Sequence, residues 1–314
     1  MAIEGTWLAV DIIGTRLDGE PFIHSAGGAR IARPLKRCAG LLKLDRVGED
    51  VVRAVIVAAL EGRSIPKVEG IIVETHQIDA SDGTPVGLII WIGGQKPTPR
   101  PTYNGWVLDM QAMTTRTSGD NPSLYGDVRE AGEEHPVHRL FTFLNPEDVW
   151  TLVAGYYDAL TGKDGDLIES YWSLKPGDQW VHCWSSCRLH CADGDDIRLL
   201  RGLTLQLPHR ELFESNFASL IRYTNATLLL VESTHKIPLT SAGRHAPLGE
   251  GQIAQVLDQV DLGVLADPAA GEGLRQNLEI DGVPFTASTF EVRSNRKNHG
   301  VPVAIMLLRE ADMH

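Results

Sequence analysis

The sequence predicts an α+β fold built as three tandem modules, each an antiparallel sheet with helices on one face. Three observations predict it. An apolar strand with an acid near its end recurs as "TWLAVDI" at residue 6, "GWVLDM" at 105 and "TLLLVES" at 227. Each is followed by a mid-section with a helix-periodic stretch, and each module closes on two or more strands around a glycine turn, at Gly83, Gly194 and Gly300. The turns recur at about one small domain's length, and strands, then helices, then a long hairpin place helices on one sheet face.

The first module covers residues 1–95. Its longest helical stretch is "GEDVVRAVIVAALEGRS" (48–64), and "IIVETHQIDASDGTPVGLIIWI" supplies the closing strands. The segment "GGQKPTPRPTYNG" (93–105) holds three prolines and three glycines with little apolar content, and reads as a linker.

The second module covers 104–208. In its helix, "NPEDVWTLVAGYYDALTG" (145–162), Asn145 suits the N-cap and Pro146 the first helical position. Glu147 and Asp148 sit at the positive end of the helix dipole, which explains these carboxylates without a catalytic role. After Pro208, Leu212, Phe213, Phe217, Leu220 and Ile221 recur at helical spacing, so a helix around 209–221 joins the third module, 222–314. There "GEGQIAQVLDQV" (249–260) is the helix and "FTASTFEVRSNRKNHGVPVAIMLL" the closing strands.

Three of the four cysteines fall in "QWVHCWSSCRLHC" (179–191), which turn-rich clusters bound on both sides, so it reads as a strand. At about 3.3 Å per residue, cysteines four apart lie about 13 Å from one another, whereas sulfurs on one zinc need to be within about 4 Å. No metal site is expected from these cysteines alone. Alternation puts Val181, Cys183, Ser185, Cys187, Leu189 and Cys191 on one face, and Trp180, His182, Trp184, Ser186, Arg188 and His190 on the other. The first face reads as core; a metal or redox role completed by ligands on neighbouring strands is the competing reading, with Cys183 and Cys187 as the candidate ligand-binding residues. On the second face, two tryptophans need a cover, and Trp180, Trp184 and Arg188 are the candidate interface residues, within the chain or between two copies of it.

A hydrophobic content of 43% and a charged content of 22% are those of a globular protein that can bury real cores. The net charge of −12 argues against nucleic acid or an anionic membrane as the main partner. The start, "MAIEGTWLAVDIIG", has neither a basic nor a long apolar region, and no window reaches the length of a membrane span, so a cytoplasmic location is expected.

The run from "LFTFLNPEDVW" through "KPGDQWVHCWSSCRLHCADGDD" to "IRLLRGLTL" resembles the second half of a PAS domain in its order of elements. Trp7, Leu8, Val10 and Gly14 in "WLAVDIIG", Val86, Trp91 and Gly93 in "VGLIIWIGG", and Trp106 with Asp109 in "GWVLD" resemble an actinobacterial family of triple sensor-domain proteins built from PAS-like and GAF-like modules. The C-terminal module resembles a PAS domain by element order, with GAF as the second choice. The resemblance implies a non-catalytic sensory or signalling protein that binds a small molecule between sheet and helices, or a protein partner through sheet faces and helices. A second copy of the chain is one candidate partner.

No cyclase, phosphate-loop, nucleophile-elbow or helix-turn-helix motif is found, so no attached effector is read, and no nucleophile, base and orienter stand at diagnostic spacing for an enzyme. A flavin photosensor of this class would need a Gly-Arg-Asn-Cys-Arg-Phe-type helix, of which Cys38 in "PLKRCAGLL" is only a distant echo. A haem would need an axial histidine, for which His138 in "EEHPVHRLF" is the residue to examine. Neither cofactor is expected. In "STHKIPLTSAGRHAPLGEG", His235, Lys236, Arg244 and His245 offer an anion-binding loop or a solvated one. The alternative to a sensor is a structural interaction scaffold whose pockets are filled by their own side chains.

Overall fold

The computed structural model describes residues 5–121, 124, 130–145, 148, 152, 155–156, 158–159, 162–175, 178–192, 197–210, 225–232, 236–246, 248–264, 275–291 and 302–309. The side chains of 138, 141, 142, 232, 239, 240, 242, 291, 302 and 303 stand outside this description. The helix around 209–221, most of 145–162, Gly194, Gly300 and His235 lie outside the described residues.

The fold is α+β with three antiparallel sheets. The first holds β1 (Thr6–Asp11), β2 (Phe22–Ala26), β3 (Ala29–Pro34), β4 (Ile72–Asp79) and β5 (Pro85–Gly93), in the order β3-β2-β1-β5-β4. The second holds β6 (Tyr103–Asp109), β7 (Thr114–Gly119), β8 (Glu134–Pro136), β9 (Leu167–Leu174), β10 (Val181–Ala192) and β11 (Ile197–Leu207), in the order β8-β7-β6-β11-β10-β9. The third holds β12 (Ala226–Glu232), β13 (Ile237–Gly243), β14 (Arg275–Ile280), β15 (Val283–Glu291) and β16 (Pro302–Arg309), in the order β13-β12-β16-β15-β14. One rule generates all three: the first strand lies beside the last, β1 on β5, β6 on β11 and β12 on β16. Between the two halves of each sheet the chain runs through helix.

The helices among the described residues are α1 (Ile12–Asp18), α2 (Leu35–Cys38), α3 (Arg46–Leu60), α4 (Val137–Phe143) and α5 (Glu250–Gln259). None is long and apolar enough to cross a membrane. α3 starts two residues before the stretch 48–64 read as helical, at the N-cap Asp45, which accepts from the Gly48 amide at 2.7 Å. It ends before Gly62, whose φ of 64° is left-handed backbone that suits glycine. Residues 61–64, read as helix from their sequence, therefore lie beyond it. α1 was not anticipated at all. The acid closing the first strand explains it: Asp11 is the N-cap, accepting from the Gly14 amide at 2.9 Å. Asp109, the equivalent acid closing β6, accepts from the amides of Gln111 and Ala112 and sets a turn instead. In the first two modules the terminal acid is thus a local backbone device.

The described chain forms two compact units. One comprises 1–135 with 163–211, and so contains the first two sheets; the other comprises 136–162 with 212–314. The stretch between β8 and β9, taken as part of the second module on sequence, is counted with the unit that holds the third sheet. In that unit α4 packs on β13, and α5 buries Val256 against Leu229, Val231, Leu278 and Ile305. Gln252 and Gln255 hold Asp281 at the tip of the β14–β15 turn, where Asp281 and Gly282 both have positive φ.

In the first unit, alternate β1 residues divide two cores. Leu8 and Val10 face α2 and α3 and pack with Ile23, Leu35, Val52, Val55 and Ile56. Trp7 and Ala9 face the other way and pack with Ile89 and Trp91 against Tyr103, Trp184, Leu203 and Leu205 of the second sheet. The first two sheets are therefore stacked on each other through an apolar seam.

Candidate functional site: the seam between two sheets

β10 runs 12 residues, paired with β9 on one side and β11 on the other, and both its faces are covered. On one face Cys183 stands opposite Trp172, and Cys187 opposite Ile168 and Gly202. A Cβ on Gly202 would lie 2.3 Å from the Trp106 ring and 2.9 Å from the Cys187 Cβ, so glycine is what lets Trp106 lie against this strand. Between the cysteines, Ser185 accepts from the Trp172 indole N–H at 2.8 Å and shares a hydrogen bond with Thr204 at 2.7 Å. Burial pushes both the Cys183 and Cys187 thiols far above their ordinary range, so they are held protonated and weakly nucleophilic. Among the described residues no group of three or more His, Cys, Asp or Glu side chains is placed to hold a metal ion. Cys38, also buried, donates to the Leu35 carbonyl at 3.4 Å and is raised to about 11, chiefly by burial.

The opposite face of β10 enters the seam. Trp184 is fully buried, its ring 4.1 Å from the His24 ring of β2. His24 is itself fully buried, with Nε2 at 3.3 Å from the Leu203 carbonyl and Nδ1 at 3.1 Å from the Ser25 hydroxyl. A carbonyl only accepts, so Nε2 carries the proton, Nδ1 accepts from Ser25, and Ser25 in turn accepts from the Tyr103 hydroxyl at 2.8 Å. Donation runs in this direction, from Tyr103 to His24, while His24 is neutral. Burial, opposed only by the Leu203 hydrogen bond, lowers its pKa from 6.5 to about 3. Burial likewise raises Tyr103 to about 12, so it stays a donor. His24 was missed in the sequence reading, because its partners lie up to 179 residues away and "FIHSA" looks like any short strand.

At one end of the seam, Arg188 donates through Nε to the Asp11 carboxylate at 2.8 Å, with both residues more than 90% buried. Nη1 donates to the Gly165 carbonyl at 3.2 Å, and the guanidinium lies 4.8 Å from the centre of the Phe22 ring. A Cβ on Gly14 would come within 2.3 Å of Nη2 and 2.5 Å of the carboxylate, so glycine is required for the pair to close. Two more pairs cross at the edges. Arg30 binds Glu169 with two hydrogen bonds of 2.8 and 2.9 Å, and Arg201 binds Asp82 at 2.8 Å. Burial alone would raise Asp82, but hydrogen bonds from Arg201 and Thr84 outweigh it and hold the carboxyl below its usual range. An aromatic centre with an ionic rim is the anatomy of a stable interface.

The structure thus brings Trp184 and Arg188 into one seam, with Cys183 and Cys187 behind them. Trp180 is not brought there; it precedes β10 and is 45% exposed. His138 lies in α4, with its side chain outside the described residues. In the third sheet's unit, Arg244 donates to the Asn225 side chain and the His245 ring meets Phe285 edge-on. The proline-rich segment after β5 is tied down, since Trp7 and Trp91 donate to the Thr98 and Gln95 carbonyls.

No family model and no curated protein matches this chain. Among solved structures, the crystal structure of an uncharacterised protein from Mycobacterium tuberculosis is 15% identical and covers 98% of this chain and 97% of its own, with a TM-score of 0.57. The likeness shows a shared fold and nothing of activity. An RNA-binding light-oxygen-voltage receptor covers 66% of this chain at 10% identity, with a TM-score of 0.27, too low to bear on fold or function.

Proposed function

We propose that this protein is a non-catalytic sensory or signalling protein made of tandem PAS/GAF-like modules, and that it works by binding a small ligand, with a protein partner as its output. The observation that carries the reading is the recurrence of one strand order, first strand beside last with helix between the halves, in all three sheets. That repetition agrees with the sequence resemblance to tandem sensor modules. Burial makes His24 too weak a base, and keeps the Cys183 and Cys187 thiols too firmly protonated, for these three groups to serve as base or nucleophile near neutral pH. Native mass spectrometry of gently purified protein beside a denatured sample tests it. A mass excess lost on denaturation is the expected result; turnover abolished by changing one pocket residue would contradict the reading.

A second reading, the scaffold with self-filled pockets, is favoured by the first sheet. The space between it and α3 is occupied by Leu8, Val10, Ile12, Val52, Val55 and Ile56, each no more than 1% exposed. A ligand of this module would bind outside that interior.

A further inference from the structure

We propose that an open cleft beside β2, β3 and α2 binds a small anion with an apolar body, such as an aryl or acyl phosphate or carboxylate. The proposal rests on the ligand-binding reading above and names its site and ligand class. The cleft measures about 700 Å³, within the range of small-molecule sites. Its apolar surface comes from Phe22, Pro34 and Leu167, the last contributed by β9 of the second sheet. Its cations are Arg33, Lys36 and Arg37, all exposed, and among the described residues none of them is in an ion pair. Two carboxylates also face it. Glu20 is already neutralised: Arg53 donates to both its oxygens at 2.6 and 2.9 Å, and this pairing above all holds it below its usual range. Glu20 also feels Lys36, and Asp18 is the second carboxylate in the lining, so among the described lining residues three cations face two carboxylates, of which one is paired with Arg53.

In a chain of net charge −12, three exposed cations, Arg33, Lys36 and Arg37, stand around one cleft with an apolar floor and set a locally positive field there. The same net charge repels a nucleic acid or an anionic membrane, while a small anion meets only the local field. The Phe22 ring that lines the cleft also stacks on Arg188, so an occupant rests on the end of the seam that couples the two sheets.

The test is isothermal titration of the full chain with phenyl phosphate, beside inorganic phosphate and benzyl alcohol, repeated on R33S/R37S. Both changes are at exposed positions, and circular dichroism checks the fold. Saturable one-site binding of phenyl phosphate is expected, at least tenfold tighter than either fragment, and at least tenfold weaker in the variant. No saturable binding, equal affinity for inorganic phosphate, or undiminished affinity in R33S/R37S would overturn the cleft. A co-purifying ligand that the variant retains also overturns it, while leaving the sensory reading intact. Saturable phenyl phosphate binding by protein that purifies without a ligand supports both the cleft and the ligand-binding reading.

Discussion

Replacing Arg188 with Met separates the buried ion pair at its least replaceable point. Asp11 is 7% exposed and would keep its Gly14 amide but lose Arg188, its one ion-pair partner among the described residues. Breaking a buried pair from one side costs about 3–5 kcal/mol, because the remaining charge is stranded. The unit concerned has about 180 residues, for which each kcal/mol moves the unfolding midpoint by about 2–4 °C, so a fall of roughly 6–20 °C is expected. Six of the seven tryptophans fall within this unit's residue ranges, so tryptophan fluorescence in a urea or thermal titration reads it selectively. Adding Asp11→Asn to the variant removes the stranded charge and keeps a cap acceptor, and should restore about 2 kcal/mol or more. A loss under about 1 kcal/mol for Arg188→Met, or a double variant no more stable than the single, would refute the assignment of this pair as the lock of the seam.

Three further outcomes follow from the same geometry. His24 has a folded pKa near 3 against 6.5 unfolded, so as pH falls the unfolded chain takes up the proton first; stability declines from about 6.5 towards 3 and levels below. The slope is at most about 1.4 kcal/mol per pH unit, so His24→Gln, which can make the same two hydrogen bonds, should flatten the urea midpoint between pH 7 and 5; an unchanged slope would assign the dependence elsewhere. Gly14→Ala forces a methyl against Arg188 and Asp11 and should cost about 1–3 kcal/mol in the same fluorescence assay, whereas a neutral result would mean the pair has room the structure denies. In thiol labelling of native protein, Cys191, of intermediate exposure, should react first, and Cys38, Cys183 and Cys187 only as fast as the protein opens; rapid labelling of two or more thiols would contradict the buried placement.

What the sequence disclosed was whatever depends on near neighbours. The alternation in "VHCWSSCRLHC" separated the cysteine face from the tryptophan face correctly, and the periodicity of 48–64 and 249–260 located α3 and α5 to within a few residues. It marked the face bearing Trp184 as one needing a cover. It did not say that the cover is the first sheet, because nothing local in "FIHSA" announces a histidine that meets Leu203. Arg188 was similarly legible as an anchor but not as the partner of an acid 177 residues earlier. Asp11 was read only as a strand-ending acid, although its spacing to Gly14 held a cap signal. The cleft was invisible for the same reason, since its apolar wall joins Phe22 of β2 to Leu167 of β9.

The most direct test of the central reading is the native mass of this 314-residue chain beside its denatured mass. A sensory protein that captures a small ligand should carry a stoichiometric mass excess that vanishes on denaturation. A bare mass under all gentle conditions, with no saturable binding of phenyl phosphate, would contradict ligand sensing and leave a scaffold whose interior is filled by its own side chains.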